Sequence, residues 1–202
     1  MRARREARNE ERREAILEAA LEVVAERGLS ELRMSDISDR AGMSAGHVLY
    51  YFKTKEAVLM QALRFIEDRF HAAADDELSK LPAGHDRLRR LLELDLPGGR
   101  GDPRWALWLE AWTVAPHDED VAELISELDA RWVRRLRQVV REGVAAGAFV
   151  CEDVAAFASR FSALFDGVAV RVVTGTKRSS KRSALRTCME AAARELDLDR
   201  PR

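Results

Sequence analysis

Apolar and charged residues mix at helical spacing almost throughout this chain. Ile16, Ala20, Val23 and Val24 form a stripe widened by Leu17 and Leu21. That stripe predicts a helix over 10–27, behind a polar arm of residues 1–9 and ended by Gly28. Ile37 and Ala41, four apart, share one face of a short second helix that Gly42 closes. Ser44 stands where an N-cap is wanted for a third helix over 45–51, with Val48 and Phe52 turned inward. Leu32, Ile37, Val48 and Phe52 would then lie under the first stripe as a three-helix core, marginal by itself at this size. Lys55 opens a long helix to about residue 81, stopped by Pro82 and Gly84, with Ala57, Leu63, Ile66 and Phe70 among its apolar positions.

The second half keeps the same period. A helix is predicted over 86–96, then a Gly/Pro loop over 97–103 and a short helix over 105–115 stopped by Pro116. Asp118, Glu119 and Asp120 suit the first turn of a helix running to about 146, with Gly147 past its end. Residues 153–174 are the most apolar helix. Val154, Phe157, Ala158, Phe161, Leu164, Phe165 and Val168 line one side; Ala155, Ser159, Ser162, Ala163 and Gly167, all small, line the other. A basic loop over 177–181 leads to a last helix over 183–196, with Leu185, Cys188, Met189, Ala192 and Leu196 on one face.

Composition narrows the class to all-α. Of 202 residues only 11 are Gly and 5 Pro, and 47% are hydrophobic. The net charge of −1 means that any nucleic-acid binding must come from local charge, such as Arg2, Arg4, Arg5, Arg8, Arg12 and Arg13. Cys151 and Cys188 form no disulfide framework or metal pattern and read as small buried or half-buried side chains. The Arg-rich start has no apolar h-region, and no run reaches the length of a membrane span, so a cytoplasmic protein is expected.

Two short helices meeting at Gly42 are what a helix-turn-helix needs, one to brace and one to lie in the DNA major groove. The outer face of the second would show Ala45, Gly46, His47 and Tyr50. The alternative is a generic helical hairpin with Tyr50 and Tyr51 in its core. The joint spacing of Ile37, Ala41, Gly42, Ser44, Gly46, Val48, Tyr51, Phe52, Lys55, Glu56, Val58 and Leu59 resembles the DNA-binding signature of TetR-type repressors. Leu49 departs from it, standing where the family often has a Tyr on a phosphate, with Tyr50 and Tyr51 adjacent.

The resemblance implies a helix-turn-helix DNA-binding domain over 1–54 and a larger helical ligand-binding and dimerisation domain over 55–202. The protein would be a homodimeric repressor on a palindromic operator, released by an unknown small-molecule effector, with no cofactor. By position, Ser44, Tyr51, Thr54 and Lys55 would hold phosphates, with Ser35 a further candidate; Lys55 opens its helix, where backbone N–H groups already favour an anion. His47 and Tyr50 would meet base edges, Ala45 a thymine methyl, and Gly46 would let the backbone come close. The last two long helices would pair with their copies, or else pack within one monomer.

Trp105, Trp108 and Trp112 share a helix face. They read either as core or as the wall of a ligand pocket. With Trp132 and the run Phe161–Gly167 their layout resembles the BetI-like subgroup, related to choline-responsive repressors. Trp105, Trp108, Trp112, Phe161, Phe165 and Asp166 are then the pocket candidates. Aromatic faces with a carboxylate, Asp166 or Glu110, would suit a cation. Chemistry of another kind has thin support. His71 and Asp75 sit four apart, a spacing that reads as a solvated helix face before it reads as half a metal site. His117 beside Asp118 reads as a turn and helix start. No catalytic triad or phosphate loop is evident, so neither a catalytic nor a metal site is expected.

Overall fold

The computed structural model describes residues 2–28 and 32–197, with side chains from residue 8 onward. Among these, all regular structure is helical: α1 Arg2–Arg27, α2 Met34–Ala41, α3 Ala45–Tyr51, α4 Lys55–Ser79, α5 His85–Asp95, α6 Pro103–Val114, α7 Glu119–Ala145, α8 Val154–Val173 and α9 Lys181–Leu196, with a 3₁₀ turn at Ala115–His117.

The chain divides into two compact units: residues up to Asp68 with Gly101–Ile125, and Arg69–Arg100 with residues from Ser126 onward. In the first, α1 packs on both α2 and α6, and α2 on α3. Ile16, Leu17, Ala20, Val23 and Val24 are buried with Leu32, Ile37, Val48 and Phe52, the core that the pattern predicts. The polar arm is a correction. Residues from Arg2 onward continue α1, and the side chains of Arg2, Arg4 and Arg5 lie outside the described residues. The first turns carry Ala, Arg and Glu, strong helix formers, but no apolar stripe to reveal them.

In the second unit α8 packs on α9, and α9 on α5. Phe157 and Phe161 stack at 5.2 Å. Phe165 lies 5.1 Å from Trp132 of α7. Ser162, placed on the small outward side of α8, is buried. His71 is also a correction: it is 1% exposed. Its Nδ1 accepts from Arg135 Nε at 3.1 Å, and Arg135 also pairs with Asp75. His71 is thus packed against α7, while Asp75 holds Arg135 from an exposed position. Cys188 is buried and Cys151 half-buried, both as free thiols.

Helix ends follow local chemistry. Ser180 caps α9 two residues earlier than the periodicity suggests, accepting from Ser183 N. Asp102 caps α6, whose first residue, Pro103, has no N–H to leave unsatisfied.

Candidate nucleic-acid interface

The site is built around the turn between α2 and α3. Gly42 takes φ +64°, a left-handed conformation that costs other residues energy, and its N–H returns to Asp39 O. Met43 N donates to Ser38 O at 2.9 Å, completing the end of α2. Ser44 Oγ then accepts from His47 N at 3.3 Å and starts α3. α2 is held to α1 by Arg40, which reaches Glu22 and Glu26 at 2.7 Å each, and by Arg27 on Asp36 at 3.2 Å. The Arg40 hydrogen bond holds the Glu26 carboxyl below its ordinary range.

On α3, Val48 is fully buried and Phe52 follows it inward. His47, Leu49 and Tyr50 face out, with Tyr50 78% and Leu49 48% exposed. The hairpin alternative, with Tyr50 in the core, is thereby excluded. Tyr51 is half-buried, its ring edge-on to Tyr50 at 5.2 Å. Ala45 and Gly46 are exposed, and nothing lies within 4 Å of a Cβ built on Gly46. Internal packing does not demand that glycine; a smooth outer surface is its consequence. Ser35 and Ser44 are exposed at the first turns of α2 and α3. Thr54 Oγ1 accepts from Ala57 N at 3.1 Å, and Lys55, half-buried, opens α4. Short braced α2 and outward α3 define a helix-turn-helix protein.

The aromatic candidates fall in both units. In the first, Trp105 is buried while Trp108 and Trp112 are half-buried, their rings 5.7 Å apart. Trp105 is core, and the other two keep part of their surface. Of the expected carboxylates, Glu110 shares this unit but turns to Gly28. Instead Trp108 Nε1 donates to Glu67 Oε1 at 2.7 Å, and Arg104 grips the same carboxylate at 2.8 and 3.0 Å. Glu67 is 3% exposed. The motif reading does not single it out, although its place four residues after buried Leu63 is a signal, because a buried carboxylate requires partners. Glu110 lies instead against Gly28, its Oε1 2.9 Å from where a Cβ would stand.

In the second unit Phe161 and Phe165 are fully buried. Asp166 borders a cleft of about 620 Å³ shared with Asp129, Arg134, Arg137 and Ser162. Burial, then repulsion from Asp129 and Asp95, pushes its carboxyl up to about 7. Among the described residues no group of three or more His, Cys, Asp or Glu is arranged to hold a metal.

Comparison with known proteins agrees with this class. Residues 16–62 match the bacterial regulatory proteins of the tetR family, and residues 84–197 match the C-terminal region of BetI-type transcriptional repressors. The HTH-type transcriptional regulator BetI of Vibrio parahaemolyticus is 27% identical over 74% of each chain. A transcriptional regulator from Saccharomonospora viridis, solved in complex with choline, superposes with TM-score 0.84 at 30% identity, over 93% of this chain and 97% of its own. A TetR transcription regulator from Haloarcula marismortui gives TM-score 0.82 at 25% identity, over 93% and 99%. The chain belongs to the TetR family, with a C-terminal region of BetI type, and is a DNA-binding transcriptional regulator. No described helix is long and apolar enough to cross a membrane.

Proposed function

We propose that this chain acts in the cytoplasm as a homodimeric repressor without catalytic activity, its residues 1–54 reading a palindromic operator and 55–202 serving dimerisation and effector binding. The observation that carries the DNA reading is α3 itself: Val48 is buried, Phe52 lies buried just past its end, and His47, Leu49 and Tyr50 point outward. Two such heads, related by a two-fold axis, would enter successive major-groove faces. His47 and Tyr50 would contact base edges and Ala45 a thymine methyl, with Gly46 allowing close approach. Ser35, Ser44, Tyr51, Thr54 and Lys55 would hold phosphates.

The effector we favour is a small organic cation. Trp108 and Trp112 offer partly exposed ring faces beside Trp105, and such faces attract cations. Asp166, with Phe161 and Phe165, is the second unit's candidate set. Its carboxylate is destabilised first by burial and then by the like charge of Asp129 and Asp95, and a cation would relieve that repulsion. The choline bound by the Saccharomonospora viridis regulator supports this class. The cation must bind the DNA-free arrangement more tightly, since equal affinity for both shifts nothing.

Titration against specific and scrambled duplexes, starting from the DNA upstream of its own gene, tests the reading. Lys55→Ala should weaken both duplexes equally and flatten the salt dependence by about 0.9 in log–log slope for each phosphate it no longer neutralises. His47→Ala or Tyr50→Ala should change preference among operators by about 1–3 kcal/mol. Choline should lower operator affinity roughly 5- to 150-fold, and Trp108→Ala should blunt that release while sparing DNA binding. Equal behaviour of Lys55→Ala, His47→Ala and Tyr50→Ala would remove the assigned roles, and full release from the Trp108 variant would move the effector elsewhere.

A further inference from the structure

Among the described residues the exposed large apolar or aromatic side chains are Leu49, Tyr50 and Val150. Two of these stand side by side on α3. Their exposure forgoes hydrophobic stabilisation that burial would give the subunit. Val48, between Leu49 and His47, is fully buried and fixes the roll of the helix. At about 3.6 residues per turn, Gly46 and Tyr50 run down the middle of the outer face, opposite Val48. His47 and Leu49 form its two flanks, about 160° apart around the helix axis. The His47 ring keeps near the Ser44 hydroxyl, with Nδ1 3.5 Å from Oγ. Ala45, also exposed, lies one turn before Leu49 and about 40° from it, so that flank carries no side-chain nitrogen or oxygen. Gly46 has nothing within 4 Å of a built Cβ, which keeps the middle of the face low beside the leucine.

A leucine can neither donate to a phosphate nor pair with the polar edge of a base. The apolar group that B-DNA presents in its major groove is the C5-methyl of thymine. We propose that Leu49 is a specificity-determining residue of this regulator, covering the C5-methyl of one thymine in each operator half-site. The inference rests on the DNA-binding reading above and deepens it: part of the sequence choice is made by apolar contact, not by hydrogen bonds. Cytosine at that position would bring its N4 amine against the leucine, where nothing accepts its hydrogen bond, and would be rejected on that ground. DNA is preferred to a protein as the occupant for two reasons. The second helix of a helix-turn-helix is the one that enters the major groove. Two adjacent side chains are also far too little surface for the core of a protein interface.

The test deletes the methyl and nothing else. In the operator duplex, half-site thymines are replaced symmetrically, one pair at a time, by deoxyuridine, which keeps base pairing and lacks only the C5-methyl. Affinity is measured by fluorescence anisotropy at fixed salt for wild type, Leu49→Ala, Leu49→Gln and Leu49→Met. Wild type should lose about 4-fold for each half-site methyl at one symmetric pair, the value of one buried methyl. Leu49→Ala should bind the thymine operator more weakly than wild type and lose nothing further at that pair, while still responding at any thymine that another residue covers. Its melting temperature should be kept, since Leu49 is 48% exposed. Leu49→Gln should also lose the uracil effect, and it decides the matter if the alanine variant fails to fold. Leu49→Met, long and apolar, should retain the effect. A wild type that binds the operator and feels no uracil pair would overturn the proposal alone, as would a Leu49→Ala variant with the wild-type uracil profile. A wild type that binds no duplex in a salt-dependent way would overturn the DNA-binding reading and this inference together.

Discussion

At Asp166 the folded chain holds a carboxyl at about 7 against an ordinary 3.8, through burial and the neighbouring Asp129 and Asp95. The raised value means that the folded state binds more protons than the unfolded one between about pH 4 and 7. Stability from this group therefore falls as pH rises through that window and is flat above it. Asp166→Asn should remove the slope and leave the variant more stable than wild type at pH 8. The gain should be about 1–3 kcal/mol, after discounting the full shift for partial exposure. Urea melts at pH 5 and pH 8 check this; an unchanged difference between the two would mean that Asp166 ionises normally. Glu67 shows the opposite solution for a buried carboxylate, charge-paired by Arg104 and hydrogen-bonded by Trp108. Asp166 was legible as a candidate from its place beside an aromatic run. Glu67 was not, because its partners stand 37 and 41 residues away.

At the scale of elements, caps and stripes set most boundaries, and local rules fail where two elements press together. Gly143 lies inside the last turns of α7, where glycine ordinarily weakens a helix by about 1 kcal/mol relative to alanine. A Cβ at that position would stand 2.2 Å from the buried Phe149 ring. Gly143→Ala should thus destabilise by about 1–3 kcal/mol, the reverse of the propensity rule, because the ring must leave its seat. Thermal or urea melts decide the sign, and a stabilised variant would mean that Phe149 has room to move. The helix-turn-helix is the contrary case: the Gly42 turn, the Ser44 cap and the Val48–Phe52 pair are all local, and all could be read before folding.

For the whole molecule the open question is assembly. Phe161, 1% exposed, packs within its own chain, and Met189 is buried as well, so a substitution at either would disturb the subunit's own packing. Ala155, Ser159, Ala163 and Gly167 recur every four residues on the exposed side of α8, and no atom lies within 4 Å of a Cβ built on Gly167. Gly167→Arg should therefore leave the subunit folded and shift the mass seen by light scattering toward a monomer at micromolar concentration, with operator affinity falling in parallel. A wild-type monomer under the same conditions would sink the dimer. Helical class, the order of elements, the capped turn of the head and the outward face of α3 were set by the sequence alone, since they depend on residues within about four positions of one another. Tertiary structure decided which polar groups are buried, which carboxylate meets Trp108, and that His71 is packed against Arg135 of α7. Those depend on contacts between distant segments, whose geometry follows from how helices pack and is not encoded in any local spacing.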